Sequence, residues 1–220
     1  MEEDIHHYSG ESVEVTYDVK RCIHAAECIR GLPSVFDKGK RPWVEPDNAD
    51  PDQLTEVITR CPTGALHFER SDGGASETVP DENSVTIVPD GPHYLRGDIE
   101  LVRPDGTTLL EDTRVALCRC GASSNKPLCD NSHREIGFTA NGQIREKADS
   151  ERAPQESKSL RITPTRNGPL ELDGPFELSL LGDATSYRED HATFCRCGGS
   201  GDKPFCDGTH ERIGFTTDEE

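Results

Sequence analysis

The strongest constraint on this chain is a duplication. LCRCGASSNKPLCDNSHREIGF, starting at Leu117, returns as FCRCGGSGDKPFCDGTHERIGF, starting at Phe194. Cys118 and Cys195 stand 77 residues apart, and so do Gly91 and Gly168 at the head of a second matching stretch. No gap is needed between Val85–Phe138 and Ile162–Phe215. A unit present twice at one offset predicts two copies of one small fold. Each copy fixes three cysteines and one histidine: Cys118, Cys120, Cys129 and His133, then Cys195, Cys197, Cys206 and His210.

That spacing is metal chemistry. Residues two apart in extended chain face the same way, so Cys118 and Cys120 can reach one iron. Cys129 and His133 are four apart and share a face if a helical turn starts there, so they can reach a second. Asp130 and its neighbours fall at the start of that turn, where free N–H groups favour an anionic group. A Cys3His zinc site is the competing reading, but a C-x-C pair is tight for one tetrahedral ion.

The motif resembles the CDGSH family of iron–sulfur proteins, the mitoNEET type. The second copy matches its fingerprint at Cys195, Cys197, Ser200, Pro204, Cys206, Asp207, Gly208, Thr209 and His210. The first matches with Ser123, Pro127 and Asp130 but has Asn131 in place of the glycine. Asparagine is the best substitute where the backbone is left-handed, so the turn is expected to survive. The resemblance implies two 2Fe-2S clusters, each with one iron on two cysteines and the other on cysteine and histidine. It also implies an intramolecular pseudo-dimer with a shared β cap, and hence a monomer. Histidine binds metal only when its ligating nitrogen is deprotonated, so such clusters should be labile in acid.

Three cysteines remain: Cys22, Cys28 and Cys61. Cys22 and Cys28 fit the outer positions of C-x2-C-x2-C, Ala25 stands in the middle, and Cys61-Pro62 supplies the distant C-P. The stretch from Val13 to Glu69 resembles the divergent single-cluster ferredoxins. Three cysteines imply a 3Fe-4S cluster; a 4Fe-4S cluster is the alternative and would need a fourth ligand, for which His24 is the candidate. All nine cysteines are then used, three per site. His6, His7, His67, His93 and His191 read as structural or solvated, with His6 and His7 in a loose terminal segment.

The predicted fold class is α+β, mostly β and irregular: a ferredoxin-like domain over 1–70, a linker over 71–84, one repeat over 85–140, a second linker over 141–160 and the other repeat over 161–220. Val13, Val15, Tyr17 and Val19 alternate as a half-buried strand. Asp50-Pro51 opens a helix with Leu54, Val57 and Ile58 as its stripe. A short strand is expected over Ala65–Phe68. Within the repeats, strands are expected near Asp98–Val102, Arg114–Leu117, Phe176–Leu180 and Ala192–Phe194.

With 42 acidic against 24 basic residues the net charge is -18. That disfavours nucleic acid and anionic membrane as partners. MEEDIHHYSG has neither a basic segment nor an apolar stretch, so a cytoplasmic location is expected, where clustered thiols serve metals. No dinucleotide fingerprint, phosphate loop or catalytic triad is present, so no enzymatic role is expected. Electron transfer, with a redox partner protein, is the leading expectation. Cluster donation or storage, or redox and pH sensing, is the alternative, its partner a cluster acceptor.

Overall fold

The computed structural model describes residues 4–144 and 158–217. They fall into two compact units, divided between Thr78 and Val79.

In the first unit, β1 (Ile5–Ser9), β2 (Val13–Asp18) and β3 (Leu66–Arg70) form an antiparallel sheet in that order. The alternation in β2 buries Val13 and Val15, and Val15 pairs with Tyr8 on one side and Phe68 on the other. Val19 leaves the strand: Asp18 accepts from the Lys20 N–H at 2.9 Å and starts a 3-10 turn over Val19–Arg21. Helix α1 (Glu27–Gly31) follows. Helix α2 (Pro51–Ile58) begins where Asp50 caps the Asp52 N–H at 2.9 Å, and its Leu54, Val57 and Ile58 are buried as their spacing requires. They pack with Val35, Phe36 and Val44 beneath the sheet. His6 and His7 are not loose: β1 pairs them with Tyr17 and Thr16. Too few apolar residues mark this edge strand for periodicity to reveal it.

The second unit opens with β4 (Ser84–Ile87), β5 (His93–Val102) and β6 (Thr108–Leu117), then a helical turn α3 (Ser132–Glu135). The second copy repeats the series as β7 (Leu160–Pro164), β8 (Leu170–Leu180), β9 (Ser186–Phe194) and α4 (Thr209–Arg212). The expected strands are all present but longer, and β4 and β7 are additional.

The short strands tie the copies together. β4 pairs antiparallel with β5 of its own copy and parallel with β8 of the other, Ser84 opposite Glu177. Likewise β7 pairs antiparallel with β8 and parallel with β5, Leu160 opposite Ile99. These four pairings close a circuit through both copies in one six-stranded sheet. One core results, with Val85, Leu95, Leu101 and Leu117 against Ile162, Leu172, Leu178 and Phe194. Each such side chain contributes about 1.5–3 kcal/mol by leaving water. Separating the copies would forfeit much of that.

Two segments read as linkers carry structure. Asn83 is buried: its amide donates to the carbonyls of Lys158 and Pro175, and its oxygen accepts from the Asp98 N–H. Leu160, at the end of the other segment, already belongs to β7. The middle of that segment lies outside the described residues. Among those described, no helix is long and apolar enough to cross a membrane.

Candidate iron–sulfur sites

Each repeat brings its four candidate ligands together as two pairs. In the first copy the Cys118 and Cys120 sulfurs are 3.7 Å apart, and the Cys129 sulfur lies 3.6 Å from His133 Nδ1. In the second the corresponding distances are 3.7 Å and 3.4 Å. Among the described residues, no three Cys, His, Asp or Glu side chains close on one point as they would round a single ion.

The pairs do not arise as periodicity alone suggested. Cys118 and Cys120 leave the end of β6 through a turn with Gly121 at φ 81°. Cys129 lies outside α3. Backbone bonds bring the segments together: the Cys118 N–H donates to Pro127 O at 2.8 Å, and the Cys129 N–H to Ala116 O at 2.9 Å. Cys195 and Cys206 repeat both bonds, to Pro204 O and Thr193 O. Asn131 and Gly208, at φ 77° and 80°, supply the left-handed residue before each helical turn, as the motif comparison anticipated.

The other motif residues hold the loops. Asp130 accepts from the Ser124 N–H at 2.7 Å and the Ser132 N–H at 2.9 Å, clamping the C-x-C loop to α3. Asp207 does the same with Gly201 and Thr209 at 2.8 and 2.9 Å. The Thr209 hydroxyl and these N–H groups keep Asp207 well below the usual carboxylate range. Burial works against ionised Asp130, but its bonds from Ser132 and Ser124 outweigh it and lower its pKa. Ser123 and Ser200, both buried, each donate to a carbonyl five residues on, at 2.7 Å. Between the paired cysteines, Arg119 and Arg196 are fully buried and brace the loops against backbone carbonyls, those of Gly91 and Val88 for Arg119 and those of Gly168 and Thr165 for Arg196. Each guanidinium lies over a ring, Phe138 at 5.4 Å and Phe215 at 5.6 Å. The duplication displays these arginines; their bracing role was not legible from composition or spacing.

The donor set fits an anionic iron–sulfur group. Backbone N–H groups of Ser123 and Gly121 bear on Cys118, that of Ala122 on Cys120 and that of Asn131 on Cys129. In the second copy Ser200 and Gly198 serve Cys195, and the Gly199 N–H donates to the Cys197 sulfur at 3.4 Å. The Cys118 and Cys120 sulfurs share one hydrogen bond, which raises the pKa of Cys118 and lowers that of Cys120. Burial pushes Cys129 up to about 12 and Cys195 to about 11. Cys118, Cys129 and Cys195 are thus held against ionising as free thiolates, which bonding to a metal would reverse.

The first unit places Cys22, Cys28 and Cys61 around a small pocket with mostly apolar walls. Tyr17 and Trp43 close one side, their rings edge-on at 4.9 Å. The Arg21 guanidinium ties the two cysteine loops together by donating to Thr63 O at 2.7 and 3.1 Å. Ala25 lines the pocket at the position of the absent cysteine; His24 does not line it. The His24 ring is exposed, with Nδ1 3.8 Å from the Cys22 sulfur. Burial and a hydrogen bond with Cys22 raise the Tyr17 pKa far above its ordinary value. Tyr17 therefore belongs to this site, which its strand position had not disclosed.

Comparison with known proteins agrees with this geometry. The model of the divergent 4Fe-4S mono-cluster family matches residues 8–71, and the model of the iron-binding zinc finger, CDGSH type, matches 90–134 and 167–211. The protein titled "Uncharacterized protein YjdI" of Escherichia coli K12 is 36% identical over 61 residues, 28% of this chain and 80% of that protein; its counterpart in strain O157:H7 matches equally. The chain belongs to the CDGSH and divergent 4Fe-4S mono-cluster families. Its first unit is the mono-cluster domain, and its second holds two CDGSH domains in tandem. No solved structure matches it.

Proposed function

We propose that this chain is an electron-transfer protein with a His-ligated 2Fe-2S cluster in each CDGSH domain and a 3Fe-4S cluster in the mono-cluster domain, working in the cytoplasm with a redox partner protein. The observation that carries the 2Fe-2S reading is the division of each ligand set into two close pairs. Cys118 with Cys120 would hold one iron and Cys129 with His133 the other; Cys195 with Cys197, and Cys206 with His210, would do so in the second copy. When bound, such clusters accept and return single electrons, with potentials raised by the neutral imidazole ligand.

The sheet circuit through both copies supports an intramolecular pseudo-dimer, and so a monomeric chain. In the mono-cluster domain, the three-cysteine lining with alanine at the fourth place supports 3Fe-4S over 4Fe-4S. Iron and sulfide analysis with EPR on anaerobically purified protein tests this reading. About seven irons per chain and an oxidised-state signal are expected; eight irons with a signal only on reduction would favour 4Fe-4S. Colourless, sulfide-free protein would overturn the reading.

One observation favours cluster donation as a second reading. The first copy buries Cys118, Cys120 and Cys129, whereas Cys197 and Cys206 of the second are only part-buried. A less enclosed site releases its cargo more readily. Incubation with an apo-ferredoxin should then empty the second site before the first; retention of both in every redox state would favour electron transfer alone.

A further inference from the structure

The two CDGSH sites touch through their ligand loops. Gly121, the residue after Cys120, packs on the backbone of Cys197; Gly198, the residue after Cys197, packs on the backbone of Cys120. A side-chain carbon on Gly121 would stand 3.1 Å from Cys197 Cα, and one on Gly198 would stand 3.2 Å from Cys120 Cα. At these points the backbones are in van der Waals contact, with no room for a side chain between them.

Each contact joins a candidate ligand of one site to a candidate ligand of the other. From the Cys120 sulfur, covalent bonds run through Cβ, Cα and the carbonyl carbon to the Gly121 backbone. One non-bonded step then reaches the Cys197 backbone, and bonds continue to the Cys197 sulfur. The contact of Gly198 on Cys120 supplies the same route in the opposite sense. Electron tunnelling weakens exponentially with distance, and more steeply across a gap than along bonds, so a route with one close contact favours transfer. The need for it is one-sided. Cys118, Cys120, Cys129 and His133 are all buried, whereas Cys197, Cys206 and His210 are only part-buried. A partner meets the second site more readily than the first.

We propose that the paired C-x-C loops form an electron path between the two CDGSH sites, so that an electron entering at the open second site is passed to the enclosed first. The inference rests on the reading that both sites hold 2Fe-2S clusters. Each transfer moves one electron: the reduced cluster of one site returns to its oxidised state as the oxidised cluster of the other is reduced. The electron itself comes from an outside one-electron reductant.

The test is exchange NMR of the hyperfine-shifted ligand resonances in the loaded full-length chain, partly reduced with dithionite and measured over a range of protein concentrations. Collisions between molecules add an exchange rate proportional to concentration; transfer within the chain adds a constant. Wild type should extrapolate to a non-zero rate at zero concentration. Gly198→Ala, which has to part the loops, should lower that intercept and leave the concentration slope in place. A zero intercept in loaded wild type, or an unmoved intercept in loaded Gly198→Ala, would overturn the inference and leave the cluster reading standing. If Gly198→Ala does not keep its clusters, EPR of wild type decides. Spin coupling across the contact should split the 2Fe-2S signals on full reduction, and unsplit signals overturn the inference. Wild type without labile sulfide would defeat the cluster reading instead.

Discussion

Gly121 lies flat against the backbone of Cys197, so that a Cβ at 121 would stand 2.6 Å from the Cys197 carbonyl oxygen. Gly198 repeats the contact on Cys120 at 2.5 Å. The two C-x-C loops meet back to back, each glycine seated on the other copy's cysteine. Both glycines have left-handed φ, 81° and 75°.

Gly198→Ala therefore meets two obstacles. The conformation costs an L-residue about 1–2 kcal/mol, and the contact leaves no room for a methyl group. Denaturant unfolding should show a loss of about 2 kcal/mol or more. Because the contact joins the two loops, both clusters, not one, should become easier to remove with chelator.

Acid should act through the histidines. A protonated imidazole cannot bind iron, so cluster loss from wild type should accelerate about tenfold per pH unit while one proton is limiting. His210→Cys removes that proton. Absorbance decay from the second site should become nearly flat with pH, and its potential should fall.

The aspartate clamps act in a different pH range. A carboxyl held below its unfolded value contributes stability that is complete above that value, about 4, and is lost as pH falls through the folded one. Asp130 and Asp207, both held below the usual carboxylate range, thus stay charged down to lower pH than ordinary carboxylates. Asp207→Asn should loosen the Gly201 and Thr209 contacts at neutral pH and speed chelator removal of the second cluster, leaving the pH slope of its acid loss unchanged.

In the mono-cluster domain, Ala25→Cys restores the absent thiol in the pocket wall. EPR should change from an oxidised-state 3Fe-4S signal to one appearing only on reduction. His24→Ala should leave the wild-type signal in place, since the exposed ring does not line the pocket. Tyr17→Phe should alter the potential of this site through the lost contact with Cys22.

The ligands were legible because metal chemistry restricts residue type and spacing together. Helix α2 was legible because Asp50, Pro51 and a three-residue stripe agree. The strand exchange was not: β4 and β7 are short, and their partners across the copies are over 60 residues away, beyond any local pattern. His93 was read as structural or solvated because it has no counterpart in the other copy, where position 170 is leucine. Its burial and its stacking on Phe194 come from a distant part of the chain. Tyr17 was hidden for the same reason, its strand alternation explaining it fully until the Cys22 loop folds over.

The circuit of strands through both copies has a consequence for how this molecule can change. In an assembly of identical subunits every substitution appears twice, so an improvement to one half is tied to its effect on the other. Here a single codon alters one half alone. The halves can diverge while the shared sheet keeps them in register, and His93 standing where the other copy has Leu170 is one such difference.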